Sequence, residues 1–339
     1  MLKKRDVWSM VIMIAIACFT LWLVLGGGKA AQVWAAMKLA DWRWLVLGGL
    51  CMLCYTGLEG AQNKISLSAM GHRVPYRHCV QFAATGFYFS SITPSSSGGQ
   101  PAQVFYMTRR GVPAAHGTLV MLLFTIVYQT VAVAWGVAAC FLAPEVPASL
   151  GTGLGVLLGY SLTTTALLTA GMIFLLVRPK PAESFCRWCL RLGAKLKLVR
   201  DLPKAEAGLE KHLRDYRGGA AVIRRQPLLL VKLLAVITAQ LTVRYFIPWT
   251  VYRALGLTAY SALRLVSTQA LVYLAVSCVP IPGTVGAAEG AFLAAYQGVF
   301  GGELVAAAML LCRGLAFYLP VLVTGASTAI LHRQTAKPS

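Results

Sequence analysis

Apolar runs of about 20 residues, the length needed to cross a bilayer core, recur six times: Val7 to Leu25, Trp42 to Gln62, Ala114 to Leu142, Leu150 to Val177, Leu228 to Leu255 and Leu304 to Leu331. Each predicts a full transmembrane helix. Two further apolar regions, Val80 to Met107 and Leu263 to Phe300, are interrupted near their middles. The first breaks at Thr93-Pro94-Ser95-Ser96-Ser97-Gly98-Gly99-Gln100-Pro101, the second at Val279-Pro280-Ile281-Pro282-Gly283-Thr284-Val285-Gly286. Backbone freed from a helix cannot face lipid, so each break is buried in protein or lines a wet cavity. Each region therefore predicts a pair of half-length helices, a re-entrant hairpin. Interrupted segments at corresponding places in two halves point to a transport site. The expected fold is an all-α polytopic membrane protein. It has six full transmembrane helices plus two inverted re-entrant helical hairpins, residues 80–107 and 263–300, in a single domain spanning 1–339.

Composition supports the membrane reading: 58% of the 339 residues are hydrophobic and 12% charged, with a mean hydropathy of +0.67. Of the ionisable residues, 31 are Lys or Arg and 11 Asp or Glu, a net charge of +20. In so apolar a chain this excess points to an anionic leaflet rather than nucleic acid. Between Arg178 and Gln226 stand 13 basic residues against 5 acidic ones, whereas Gly256 to Ala262 carries no charge. The positive-inside rule makes the basic stretch, 178–226, cytoplasmic. Working outward puts both termini, the Lys64 to Arg77 loop and Arg109-Arg110 on that side as well. The first hairpin then opens to the cytoplasm and the second away from it. If both regions crossed fully, the termini would stay inside but a basic loop would lie outside. Within the stretch, Phe185, Trp188, Leu192, Leu196 and Val199 recur at helical spacing, an amphipathic helix suited to the inner membrane surface or to packing on its own bundle.

The nine cysteines lie mostly in apolar runs, and no His ligand completes a zinc set around Cys51-x-x-Cys54 or Cys186-x-x-Cys189, so they read as core residues. No phosphate loop, hydrolase triad or zinc-protease motif appears, so neither an enzyme nor a cofactor is expected.

In the first hairpin Ser97 is a candidate N-cap, and Gly98, Gly99, Gln100 and Gln103 open the next half-helix. Its exposed N–H groups and positive dipole end suit a phosphate. A turn that only caps itself is the alternative. In the second hairpin Gly286 opens a half-helix in which Glu289 either reaches back to an N-terminal N–H or binds a cationic head group or proton. Arg313 lies too deep in the last span to snorkel and needs an anionic partner. Glu59 and Glu289 are the candidates for a static pair, and a lipid phosphate is the alternative. Arg244 is a deeper, secondary candidate, while Arg253 and Arg264 lie near the outer interface.

At these residues the chain resembles the flippase-like domain family found at the N-terminus of lysylphosphatidylglycerol synthases, the multiple peptide resistance factors. The resemblance rests on Thr93-Pro94-Ser95 followed by Gly98-Gly99-Gln100-Pro101-Ala102-Gln103, on Arg109-Arg110-Gly111, on Pro280, Pro282, Gly283, Gly286 and Glu289, and on the spacing of Arg313, Tyr318 and Pro320. It implies a domain of the bacterial inner membrane that moves aminoacylated phosphatidylglycerol to the outer leaflet and so confers resistance to antimicrobial peptides. By position it likens Glu59 to the family's acidic residue late in the second helix and Arg313 to its arginine in the last helices. The sequence runs to Ser339 without a soluble aminoacyl-transferase domain. That leaves lysyl-phosphatidylglycerol, another phospholipid and a polyprenyl-phosphate-linked lipid as open cargoes. A separate lipid synthase and a second copy of the chain are candidate partners, and a scaffold for such a synthase is the alternative function.

Overall fold

A computed structural model describes residues 30–178, 184, 187, 188, 190 and 202–336. The expected first helix, Val7 to Leu25, and most of the amphipathic helix over residues 185–199 lie outside the described residues. Within them every regular element is helical: α1 (Ala30–Leu39), α2 (Trp42–Ala69), α3 (Tyr76–Ile92), α4 (Gly99–Thr108), α5 (Ala114–Leu142), α6 (Glu145–Ser149), α7 (Gly151–Val177), α8 (Leu202–Arg224), α9 (Pro227–Tyr245), α10 (Ile247–Ala254), α11 (Ala262–Val276), α12 (Ala287–Arg313) and α13 (Leu319–Ala336). Among the described residues five segments are long and apolar enough to cross a membrane: Trp42–Ala69, Ala114–Leu142, Gly151–Phe174, Pro227–Ala254 and Pro282–Arg333. The chain is a multi-pass membrane protein.

Local chemistry sets the boundaries. Asp41 caps α2 by accepting the Arg43 N–H at 2.9 Å. The run expected over Leu228 to Leu255 is divided at Phe246 into α9 and α10, where Pro248 supplies no N–H to continue the ladder. The last span is set off from the second half-helix. Within α12 two helices meet across a kink at Gly301, φ 76° and ψ 160°, and the second of them joins α13 through a π-turn over Gly314–Tyr318. The boundary expected at Phe300 thus falls one residue before this break.

The bundle is apolar outside as well as inside. On α7, Val156, Tyr160, Leu167, Leu168 and Phe174 are exposed, as befits a helix facing lipid. The interior holds two main clusters. One centres on Tyr252, Leu265, Tyr296 and Met309, with Phe292 stacked on Tyr296 at 4.3 Å. The other centres on Leu123, Leu233, Ile237, Leu241 and Tyr245. Part of the basic stretch joins the second cluster, because Ala220 and Ile223 of α8 are buried beside Leu119 of α5. This portion is a helix packed on its own bundle.

Both sequence breaks are real interruptions, and they share one design. A short 3₁₀ turn, Pro94–Ser96, separates α3 from α4, and another, Pro282–Thr284, lies between α11 and α12. The first turn holds Ser96 at φ 53°, and the second holds Gly283 and Thr284 at φ 58° and 52°. Non-glycine residues seldom adopt that region, and they persist there only where the surroundings enforce it. The two turns touch each other inside the bundle.

Candidate functional site

Where the turns meet, α2, α4, α5, α9 and α11 leave a cavity of about 660 Å³. Of the residues singled out from sequence, Glu59, Ser97, Gln100, Gln103, Arg244 and Arg313 line it. Gly98, Gly99, Gly286 and Glu289 lie behind that surface.

The first break is stitched by Thr93 rather than by Ser97. Thr93 Oγ1 donates to the Phe89 carbonyl at 2.6 Å and accepts the Gly98 N–H at 2.9 Å. Ser97 is no N-cap, because its hydroxyl turns back to donate to the Pro94 carbonyl at 2.8 Å and the cap position falls on Gly98. Gly99 is buried against α3, where a Cβ would run into Ser90 Oγ and come within 2.6 Å of the Gly86 carbonyl oxygen. Its immediate physical role is close approach of α4 to α3. Gln100 Nε2 donates to Thr125 Oγ1 at 2.7 Å. Gln103 reaches the other way, donating to Glu59 Oε1 at 3.0 Å and accepting from Asn63 Nδ2 at 3.0 Å.

In the second break Glu289 serves two of its expected roles at once. Its Oε2 accepts the Gly286 N–H at 2.7 Å, capping α12, and its Oε1 accepts from Arg313 Nε at 2.7 Å. Tyr318 OH also donates to that Oε1, at 3.4 Å. Arg313 Nη2 donates to the Gly283 carbonyl at 3.3 Å, and its guanidinium lies 4.2 Å from the Phe317 ring centre. Arg313 thus chooses Glu289, five residues beyond the second turn, over Glu59. The side chains of the pair are 15% and 2% exposed, so the ion pair is buried and ties the π-turn to the second break.

That leaves two charges facing the cavity without an ion-pair partner. Among the described residues no carboxylate lies within 4.0 Å of Arg244 and no cation within 4.0 Å of Glu59. Arg244 is held by tyrosines. Its Nη1 donates to Tyr55 OH at 3.2 Å, and its guanidinium sits 5.1 and 5.2 Å from the Tyr55 and Tyr273 ring centres. The Tyr128 hydroxyl lies 3.4 Å from that of Tyr55 and 3.1 Å from that of Tyr273, closing a chain of three phenols. Glu59 is 6% exposed and accepts only from amides, Gln103 and, at 3.4 Å, Gln240. Sequence reading passed over Tyr55, Tyr128, Tyr273, Asn63 and Gln240. A partial signal existed, because Tyr55 and Glu59, like Gln240 and Arg244, stand at i and i+4 and share a helix face.

The deep arginines nearer the helix ends have other partners. Arg253 lies 5.2 Å from the ring centre of Trp44, and Arg264 is 3.8 Å from Glu145. No group of three His, Cys, Asp or Glu suited to a metal occurs among the described residues. Cys51 and Cys54 are free thiols.

Comparison with known proteins agrees with this architecture. An Archaeoglobus fulgidus protein described as a UPF0104 membrane protein is 22% identical over 268 residues, covering 77% of this chain and 78% of that one. The model of the lysylphosphatidylglycerol synthase TM region matches residues 10–324. With nearly its whole length matched, the chain belongs to the family of the lysylphosphatidylglycerol synthase transmembrane region.

Proposed function

We propose that this protein is a phospholipid flippase of the bacterial inner membrane, a transporter rather than an enzyme, with both termini cytoplasmic. The observation that carries the reading is the junction of the two broken segments against a cavity that holds Arg244 with no carboxylate in contact. A guanidinium inside a membrane protein is costly unless an anion or polar shell accompanies it. Here one N–H is used on Tyr55, and the remaining donors, with no acceptor among the described residues, suit a phosphate, which a planar guanidinium binds in two-point fashion. The head group would occupy the cavity while the acyl chains stay in lipid.

In this reading α3–α4 and α11–α12 are two re-entrant hairpins of opposite orientation among six full crossings. The Glu289–Arg313 pair and the Arg313 bond to Gly283 hold the second break closed on one side. Alternating access consists of loosening one break against the other around the fixed phosphate site. Lysyl-phosphatidylglycerol, other phospholipids and polyprenyl-linked lipids share that phosphate. Movement of the first of these outward would lower the negative charge of the cell surface and its attraction for cationic antimicrobial peptides.

The test is leaflet-specific labelling of head groups in vesicles reconstituted with the full chain. The expected result is head-group crossing well above the rate in protein-free vesicles. Equal rates would overturn the flippase reading and favour a scaffold for a separate lipid synthase.

A further inference from the structure

Tyr55 and Glu59 stand one turn apart on α2, and Gln240 and Arg244 one turn apart on α9. Across the interface they pair in antiparallel order, Arg244 with Tyr55 at 3.2 Å and Gln240 with Glu59 at 3.4 Å. The interface therefore carries two rungs about 6 Å apart, at 1.5 Å rise per residue. One rung ends in a guanidinium and the other in a carboxylate, and both line the same cavity.

The rungs differ in what they lack. At the Arg244 rung donors are in surplus, because four guanidinium N–H groups have no protein acceptor among the described residues and three phenol hydroxyls surround them. At the Glu59 rung acceptors are in surplus. The carboxylate takes only two amide N–H bonds, and behind the cavity wall Gln240 Oε1 and Gln62 Oε1 are buried with no partner among the described residues. Gln62 and Gln240 are both 0% exposed. Buried oxygens without donors are rare in proteins and call for an explanation.

We infer that the two rungs form a bipolar head-group site, which takes a phosphate at Arg244 and a primary ammonium at Glu59. It fits a phosphate and amine joined by a two-carbon linker, the ethanolamine type. That linker places phosphorus and nitrogen four bonds apart, about 5 Å once bond angles shorten a path of four bonds, comparable with the ~6 Å helix rise between the rungs. In a lysyl ester of phosphatidylglycerol even the nearer amine lies eight bonds from phosphorus, and a glycerol head group offers no cation. A choline head group carries both charges at the right spacing but no N–H, so it gives the Glu59 carboxylate no hydrogen bond. The site is net neutral and so is the ligand, which avoids stranding a charge in the bundle.

This inference rests on the flippase reading for its biological role, but its test is a binding measurement. The purified full chain is offered equal amounts of dioleoyl phosphatidylethanolamine, phosphatidylcholine, phosphatidylglycerol and lysyl-phosphatidylglycerol, and bound lipid is counted by native mass spectrometry. The expected result is preference for the ethanolamine lipid by about tenfold, the factor a single charge-assisted hydrogen bond carries. Glu59→Gln should abolish that preference while phosphatidylglycerol binding persists. Equal retention of all four lipids, a preference for the lysyl lipid, or an unchanged preference in Glu59→Gln would each overturn the assignment. The wild-type ranking needs no variant and so decides the matter even if Glu59→Gln does not fold. Selective binding without crossing in vesicles would refute the flippase reading and keep the site. Crossing with no selectivity among the four lipids would do the reverse.

Discussion

Arg313 donates to Glu289 at 2.7 Å while Glu289 caps α12 through the Gly286 N–H, also at 2.7 Å, so one carboxylate fastens both the second break and the helix that returns toward it. Breaking a buried pair by removing one partner strands the other charge. Arg313→Ala is therefore expected to cost about 3–5 kcal/mol of stability, read as a lowered unfolding temperature by a thiol-reactive dye at buried Cys79 and Cys312. The double variant Glu289→Gln with Arg313→Gln should lose less than the sum of the two single changes. Additive losses would mean that the pair is not coupled.

The contact between the two breaks depends on Gly283. It combines φ +58° with a position where a Cβ would strike the Phe317 ring and approach the Ser91 carbonyl oxygen to 3.1 Å. Gly283→Ala should destabilise by about 1–3 kcal/mol through overpacking and backbone strain. Adding Phe317→Ala should recover part of the steric loss. A neutral Gly283→Ala in thermal unfolding would contradict this packing.

Tyr55 orients Arg244 through one hydrogen bond and one ring face. Tyr55→Phe keeps the ring and deletes the hydroxyl, so stability should change by only about 1 kcal/mol. Lipid crossing in vesicles should fall, because the guanidinium loses its anchor. Full transport by a well-folded Tyr55→Phe protein would remove the tyrosine chain from the account.

At one end of the bundle His72, in the loop between α2 and α3, has its Nε2 2.8 Å from His116 Nδ1 in the first turn of α5. Burial, and then the neighbouring His116 ring, hold His72 below its ordinary pKa. A histidine whose pKa is lowered on folding imposes no penalty while both states are neutral. As pH falls through the ordinary histidine range, around 6.5, the unfolded chain takes up the proton more readily and the folded state loses stability. Unfolding temperature should therefore decline on acidification through that range, and His72→Gln should reduce the slope. An identical slope in His72→Gln would contradict the assignment.

Much of this was legible in the sequence because proline and glycine punctuate helices wherever they occur. Pro94 with Gly98 and Pro282 with Gly283 marked both breaks, and hydropathy marked α2, α5 and α7. The bend at Phe246 and the π-turn over Gly314–Tyr318 were less legible, since each depends on how the adjoining segments pack. Arg313 announced its need for an acid, but Glu59 and Glu289 were equally eligible until the fold of the second turn placed Glu289 beside it. Ser97 had the right residue type for a cap, yet Thr93 sits where its hydroxyl reaches the Gly98 N–H. The phenols around Arg244 come from α2, α5 and α11, far apart in the chain, and no local pattern gathers them.

The central claim is that Arg244 receives a lipid phosphate as the head group crosses. It is tested most directly by comparing wild type with Arg244→Gln in the same vesicles, with leaflet-specific labelling of phosphatidylethanolamine over time and equal amounts of folded protein confirmed by thermal unfolding. The account predicts rapid exchange between leaflets with wild type and a rate near that of protein-free vesicles with Arg244→Gln. Equal rates for the two proteins would contradict it.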